Sequence, residues 1–298
     1  MSTGQGIRLP LPGRAPPSHR VHGPSALSGD FQRFWSLTFT LARTEFKLRF
    51  FGSVLGYLWT LVRPLLLFGV LWVFFTKVAH VNNSRNPAER FYGVQLLGSI
   101  VLFTFFAEAT TGAVRSVVDR ENLVRKIRFP RLVIPVSVVL LALFNLGLNL
   151  IVVMIFALAA GVRPMLSWLE LPLIIGALVV LAGGVAMLLS ALFVHFRDTQ
   201  PIWDVICQIL FYASPVIISI ITVKSKLSTS LLHLYMLNPL AVVFQQFRHA
   251  MITHATPSAG QVLGSWSALF GALVIVVAVF IVGFIVFDRA AARIAENL

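Results

Sequence analysis

Apolar and polar residues fall in long blocks along this chain rather than at short periods. Residues 132–162, 171–194, 205–223 and 255–287 contain no Asp, Glu, Lys or Arg. A hydrocarbon core about 30 Å thick takes roughly 20 residues of helix to cross, and these blocks are long enough. With the apolar stretches nearer the N-terminus, the pattern predicts six spans: 57–79, 91–113, 132–160, 171–194, 202–223 and 265–287. In the first, Arg63 can snorkel to the near interface, and Pro64 marks a kink.

The segments between and before the spans differ in kind. Residues 1–30 hold five Pro, five Gly and three Arg, a composition that cannot bury enough surface to order itself. They read as a flexible tail, without the apolar run of a signal peptide. Residues 31–51 are amphipathic at helical spacing. Arg33, Ser36, Thr40, Arg43 and Lys47 share one side, and Phe31, Phe34, Trp35, Leu41, Ala42 and Leu48 fill much of the rest, interrupted by Glu45 and Arg49. Such a helix lies in the headgroup plane or packs on other protein. Residues 224–260 are mostly apolar but broken at Asn238–Pro239. A seventh span there would need a helix through the proline, so two short re-entrant helices fit better.

Charge then orients the spans. Six of them place both termini on one side, and with that side cytoplasmic the bases divide seventeen inside against seven outside, as the positive-inside bias requires. The same count accounts for the net charge of +13, which otherwise invites a nucleic-acid reading. A hydrophobic fraction of 57% with only 12% charged residues places the fold class as an all-α integral membrane protein. The single Cys207 rules out an intrachain disulfide and leaves the redox compartment open.

Familiar catalytic chemistry is missing. None of the five lysines follows a glycine, so there is no P-loop for nucleotide phosphates. The seven histidines are scattered singly, which argues against a zinc site. Glu108 lies within the second predicted span; it is either functional or matched by a partner such as Arg115. Asp198 and Asp204 are the only acidic pair near one interface, and across Pro201 they do not obviously converge.

The segment "DRENLVRKIRFPR", residues 119–131, interleaves charges with Leu123, Val124, Ile127 and Phe129. Topology alone would explain the bases but not the apolar residues among them. Val117, Val118, Glu121, Val124 and Arg125 fall at helical spacing, and Pro130 and Pro135 turn the chain into the third span. A short amphipathic helix lying across the inner face would present such a surface to a cytosolic partner.

"RENLVRKIRFPRLVIP" closely resembles the cytoplasmic loop of ABC-2-type permeases that export polysaccharides, the O-antigen and teichoic-acid exporters (Wzm/TagG-like). "FKLRFFGSVLGYLWTLVRPLL" resembles that family's entry into its first span. "HFRDTQPIWDVICQILFYASPVIISI" resembles its Phe-Arg-Asp turn and fifth span, and "LYMLNPLAVVFQQFRHAM" its Asn-Pro segment. The four stretches lie in register over residues 31–290.

The resemblance implies a type V exporter-like permease fold: a tail at 1–30, an interface helix at 31–56, a transmembrane domain at 57–290 and a cytoplasmic C-terminus at 291–298. Within the domain it implies a coupling helix at 115–131 and a re-entrant gate region at 228–253. The chain would work as a homodimer in the bacterial cytoplasmic (inner) membrane, each copy docked to a cytosolic ABC ATPase that uses ATP and Mg. This chain would itself bind no cofactor, metal or nucleic acid. Glu121, Asn122, Arg125, Lys126, Phe129 and Pro130 would contact the ATPase, and Tyr235, Asn238 and Pro239 would lie at the outer gate. The substrate would be a lipid-linked glycan. A glycan conduit should be smooth, aromatic and weakly binding, for which Phe103, Phe105, Phe106, Phe211 and Tyr212 are candidates. Asn145 and Asn149, one turn apart, are better placed to bond neighbouring helices. An ABC-2-type exporter of drugs or lipids shares the layout. A lipid-linked glycosyltransferase would need a cluster of acids or histidines, and a channel would need no coupling helix.

Overall fold

A computed structural model describes residues 31–49, 56, 58–78, 90–121, 130–220, 223–224, 228–264 and 266–297. The expected tail at 1–30 and most of the loop at 79–89 lie outside them. Among the described residues the fold is helical throughout, with no strand. Helix α1 covers Phe31–Arg49. Helix α2 covers Leu58–Val73 and runs on as a π-helical turn, Phe74–Val78. Helices α3 (Tyr92–Val114) and α4 (Val133–Ala159) follow. A 3-10 turn at Leu166–Glu170 leads into α5, Leu171–His195. Then come α6 (Thr199–Ala213), α7 (Thr229–Met236), α8 (Pro239–Met251), α9 (Ala259–Leu263) and α10 (Trp266–Asn297).

Among the described residues five segments are long and apolar enough to cross a membrane: Leu58–Val78, Tyr92–Val114, Val133–Ala159, Leu166–His195 and Phe270–Ala291. The protein is a multi-pass membrane protein. Helix α3 is the centre of the bundle, packed against α2, α4, α5, α6 and α8, and apolar on every side, as a fully enclosed helix must be. Helices α5 and α10 pack along one another. At Gly184 and Gly283 their backbones approach so closely that a Cβ on either would collide with the other's main chain. Small residues permit that approach where no hydrophobic effect drives helices together.

The expected span at 202–223 is not one continuous helix. Helix α6 stops after 15 residues, roughly 22 Å of rise, and residues 214–218 form turns and bends. Pro215 is the cause. It has no N–H to donate and clashes with the preceding turn, and Ser214 before it is extended at φ −101, ψ 156, as a residue ahead of proline prefers. The break at Asn238–Pro239 appears as expected. It separates α7 from α8, with Pro239 in the first turn of α8, where a missing N–H costs nothing.

Helix α1 follows its predicted bounds but has three faces. Phe34, Thr38 and Ala42 are buried, and Phe34 joins a cluster with Val117, Ile134 and Phe287. Phe39 and Phe46 meet Phe144 of α4 edge-on at 5.8 and 6.0 Å. Phe31, Trp35 and Phe39 stay exposed. The helix is therefore anchored on protein while offering aromatic rings outward.

Candidate functional site

Three regions carry the residues singled out from the sequence: the α3–α6 seam, the break between α6 and α8, and the end of the bundle beneath α1. At the seam, α6 buries Thr199, Trp203 and Cys207. The Trp203 indole N–H donates to Thr110 Oγ1 at 3.1 Å. Phe103 and Phe211 meet edge-on at 5.0 Å, and Phe106 lies 6.3 Å from Trp203. Phe103, Phe105 and Phe106 are buried; in this single chain their rings join two helices and face no open passage. Phe211 is half-buried and Tyr212 is 70% exposed.

Tyr212 has polar company. Asp204 and Gln208 are exposed on the same helix, at steps of four residues that hold all three within an arc of about 80°. The remaining exposed residues of α6 are mainly apolar, Ile202, Val205 and Ile209 among them. Helix α10 makes the contrast: from Phe270 to Ile285 its exposed residues are all apolar, Leu273, Val277 and Ile281 among them, and charge returns only at Asp288 and Arg289. A face meant for lipid should look like α10, because an ionisable group in hydrocarbon costs several kcal/mol, about 3 for Asp on insertion scales.

At the break, Asn238 caps α8. Its side-chain oxygen accepts from the Leu240 N–H at 3.0 Å, and its amide donates to Ser214 Oγ at 2.9 Å. Tyr235 is half-buried against the Leu232–Met236 cluster. The principal residue here is one that the sequence reading counted only as a loop base. Arg248 of α8 is 2% exposed. It donates to Ser99 Oγ at 3.2 Å, to Val216 O at 3.0 Å, to Ile218 O at 3.5 Å and to Pro215 O. The carbonyls freed by the break thus find their donors in a buried guanidinium. The available signal was a single base inside the apolar run "LAVVFQQFRHAM". Past the end of α8, Ser167 Oγ and Trp168 Nε1 donate to the carbonyls of Ala250 and Met251 at 2.7 and 3.0 Å.

Beneath α1, Arg120 forms an ion pair with Glu45 and donates to Ser116 O at 3.3 Å. Burial lowers the Arg120 pKa from its ordinary value. The pair ties α1 to the turns that open the expected coupling segment. Glu121 is half-buried and Pro130 is buried. Asn122, Arg125, Lys126 and Phe129 lie outside the described residues. Glu108 is matched by Asn145, whose amide donates to it at 2.9 Å. Arg115 instead sits over the Phe193 ring at 5.8 Å, with Arg197 also over that ring at 5.3 Å. Asn149 bonds to Thr60 O of α2 at 3.2 Å, so both asparagines serve helix contacts. Among the described residues no three His, Cys, Asp or Glu gather as a metal site.

A membrane bundle with an interrupted pass, a capped Asn-Pro break and a docked amphipathic helix can be compared with known proteins. The profile of the ABC-2 type transporter family matches residues 36–252, from within α1 to just past α8. The chain belongs to the ABC-2 type transporter family. Its relatives include an O-antigen export system permease protein RfbA of Myxococcus xanthus, 28% identical over 230 residues, 77% of this chain and 85% of that one. Two proteins of the same description from Klebsiella pneumoniae are 28% and 27% identical over 215 residues, 72% of this chain and 79% of each. As an ABC-2 protein the chain is a transport subunit, and the matched stretch takes in both the α3–α6 seam and the Arg248 clasp.

Proposed function

We propose that this chain is the permease subunit of an ATP-driven exporter that moves a lipid-linked polysaccharide, of the O-antigen or teichoic-acid kind, outward across the bacterial cytoplasmic membrane. The observation that carries the reading is the polar line Asp204–Gln208–Tyr212 on a membrane helix fastened mainly along its opposite side. Hydroxyl, amide and carboxylate groups about one turn apart give a sugar chain places to exchange hydrogen bonds, and Tyr212 offers a ring for its C–H face. Relatives described as O-antigen export permeases support the same cargo.

A second copy of the chain, turned so that two α6 faces meet across a water-filled passage, would shield this line from lipid. Both termini lie in the cytoplasm in this scheme, in keeping with the basic loops. The motor is a separate ABC ATPase that uses ATP and Mg. It grips the coupling segment at 115–131 through Glu121, Asn122, Arg125, Lys126, Phe129 and Pro130, and also touches α1. The region 228–253, with Tyr235, Asn238 and Pro239, forms the outer gate.

Deleting the gene in its native bacterium, with the partner ATPase left intact, tests the reading. Surface polysaccharide should disappear and lipid-linked glycan should accumulate inside, and the full chain should restore export. An unchanged cell surface, with no internal accumulation, would overturn it.

A further inference from the structure

Where α1, α2, α3 and α4 converge, the protein forms an open cavity of about 830 Å3, within the size range of small-molecule sites. Glu45, Arg63, Glu108, Asp119 and Arg120 line it, and α4 contributes an apolar wall at Val138 and Leu141. The charges do not cancel. Glu45 and Arg120 engage one another, leaving Glu108, Asp119 and Arg63 facing the space.

Acceptors are in excess there. One Glu108 oxygen accepts from the Asn145 amide; its other oxygen and the Asp119 side chain have no donor among the described residues. An anion entering the cavity would face two carboxylates. A metal ion would face the Arg63 guanidinium. A neutral polyhydroxyl ring suits both, since its hydroxyls donate to carboxylate oxygens while its ether oxygens accept from guanidinium. The α4 wall offers contact for the C–H face of such a ring.

We propose that this cavity is a sugar-binding vestibule, which holds a neutral saccharide unit of the cargo before it reaches the passage beside α6. This inference rests on the polysaccharide reading above and adds a site to it. Glu108 is the principal hydrogen-bond acceptor, Asp119 a second at the rim, and Arg63 the donor.

The test uses the full chain with its partner ATPase in lipid nanodiscs and saturation-transfer NMR. The probes are mannotetraose and maltotetraose, with dihexanoyl phosphatidylethanolamine as a headgroup competitor. Saturation should pass to at least one tetrasaccharide. Glu108→Gln, and separately the rim variant Asp119→Asn, should weaken its binding about tenfold, the loss expected for one charge-assisted hydrogen bond. No transfer to either sugar, equal binding in both variants, or displacement by the lipid headgroup would overturn the assignment. Polysaccharide export by the same complex separates the two claims. If export proceeds but the sugars do not bind, only the vestibule falls; if no polysaccharide is exported, the reading of the cargo falls.

Discussion

Arg248 is the residue that holds the break between α6 and α8 together. Four oxygens surround it, three of them main-chain carbonyls released where Pro215 ends α6. Replacing it with Met would leave those carbonyls dry and unmatched. The expected cost is about 3 kcal/mol of resistance to denaturation, measured by titration in detergent. Lys at this position keeps the charge but cannot reach several carbonyls at once, so Arg248→Lys should fall between the two. Asn238→Ala should cost about 1 kcal/mol, the usual loss for a helix N-cap. The sequence reading missed Arg248 because a count of loop bases treats every base as exposed. It did place Asn145 and Asn149 among helix contacts, since an amide one turn from another in an apolar helix has few partners but its neighbours.

Helices that were legible from the sequence are those whose apolar run exceeds the thickness of the membrane: α2, α3, α4, α5 and α10. The α6 segment was misjudged for a physical reason. Hydropathy adds up composition and is blind to the lost N–H at Pro215. The amphipathic α1 was legible as a helix, but its division among protein, solvent and lipid was not, because that depends on Phe144, far away in the chain. The Glu45–Arg120 pair gives this element its own test. Charge reversal at either residue should loosen α1 and uncouple ATP hydrolysis from export, while Glu45→Arg with Arg120→Glu should recover part of the loss. A double-mutant cycle should return a coupling of about 1 kcal/mol; a value of zero would show that α1 is held by its apolar and aromatic contacts, without help from the ion pair. In the coupling segment itself, Arg125→Glu with Lys126→Glu should uncouple hydrolysis from export without changing membrane insertion.

For the whole molecule, the exposed sides of α6 and α10 make different demands on their surroundings. The α10 side is apolar from Phe270 to Ile285 and suits acyl chains; the α6 side, with Asp204 and Gln208, does not. If two copies meet there, Gln208→Cys in a Cys207→Ala background should cross-link into a disulfide dimer under mild oxidation in membranes. Only monomer, with the thiol still reactive, would argue against that arrangement. Tyr212→Ala should lower export several-fold and leave ATPase binding intact, as read from co-purification and surface glycan together. The family and the cargo class were legible in four short stretches of sequence. The cavity beneath α1 was not, because it is assembled from four helices whose contributing residues are spread from Glu45 to Ala142.

The contact between Gly184 and Gly283 has a mechanical consequence. Main chain lies on main chain there, with no side chain between to yield by changing rotamer, so α5 and α10 travel as one strut. Whatever motion ATP drives must be taken up elsewhere, and α6, fastened along one seam and hung at its end from Arg248, is the lightest member to swing. Stiffening that hinge should stall the pump with its fuel still burning; widening the strut, as in Gly283→Val, should prevent the machine from being assembled at all.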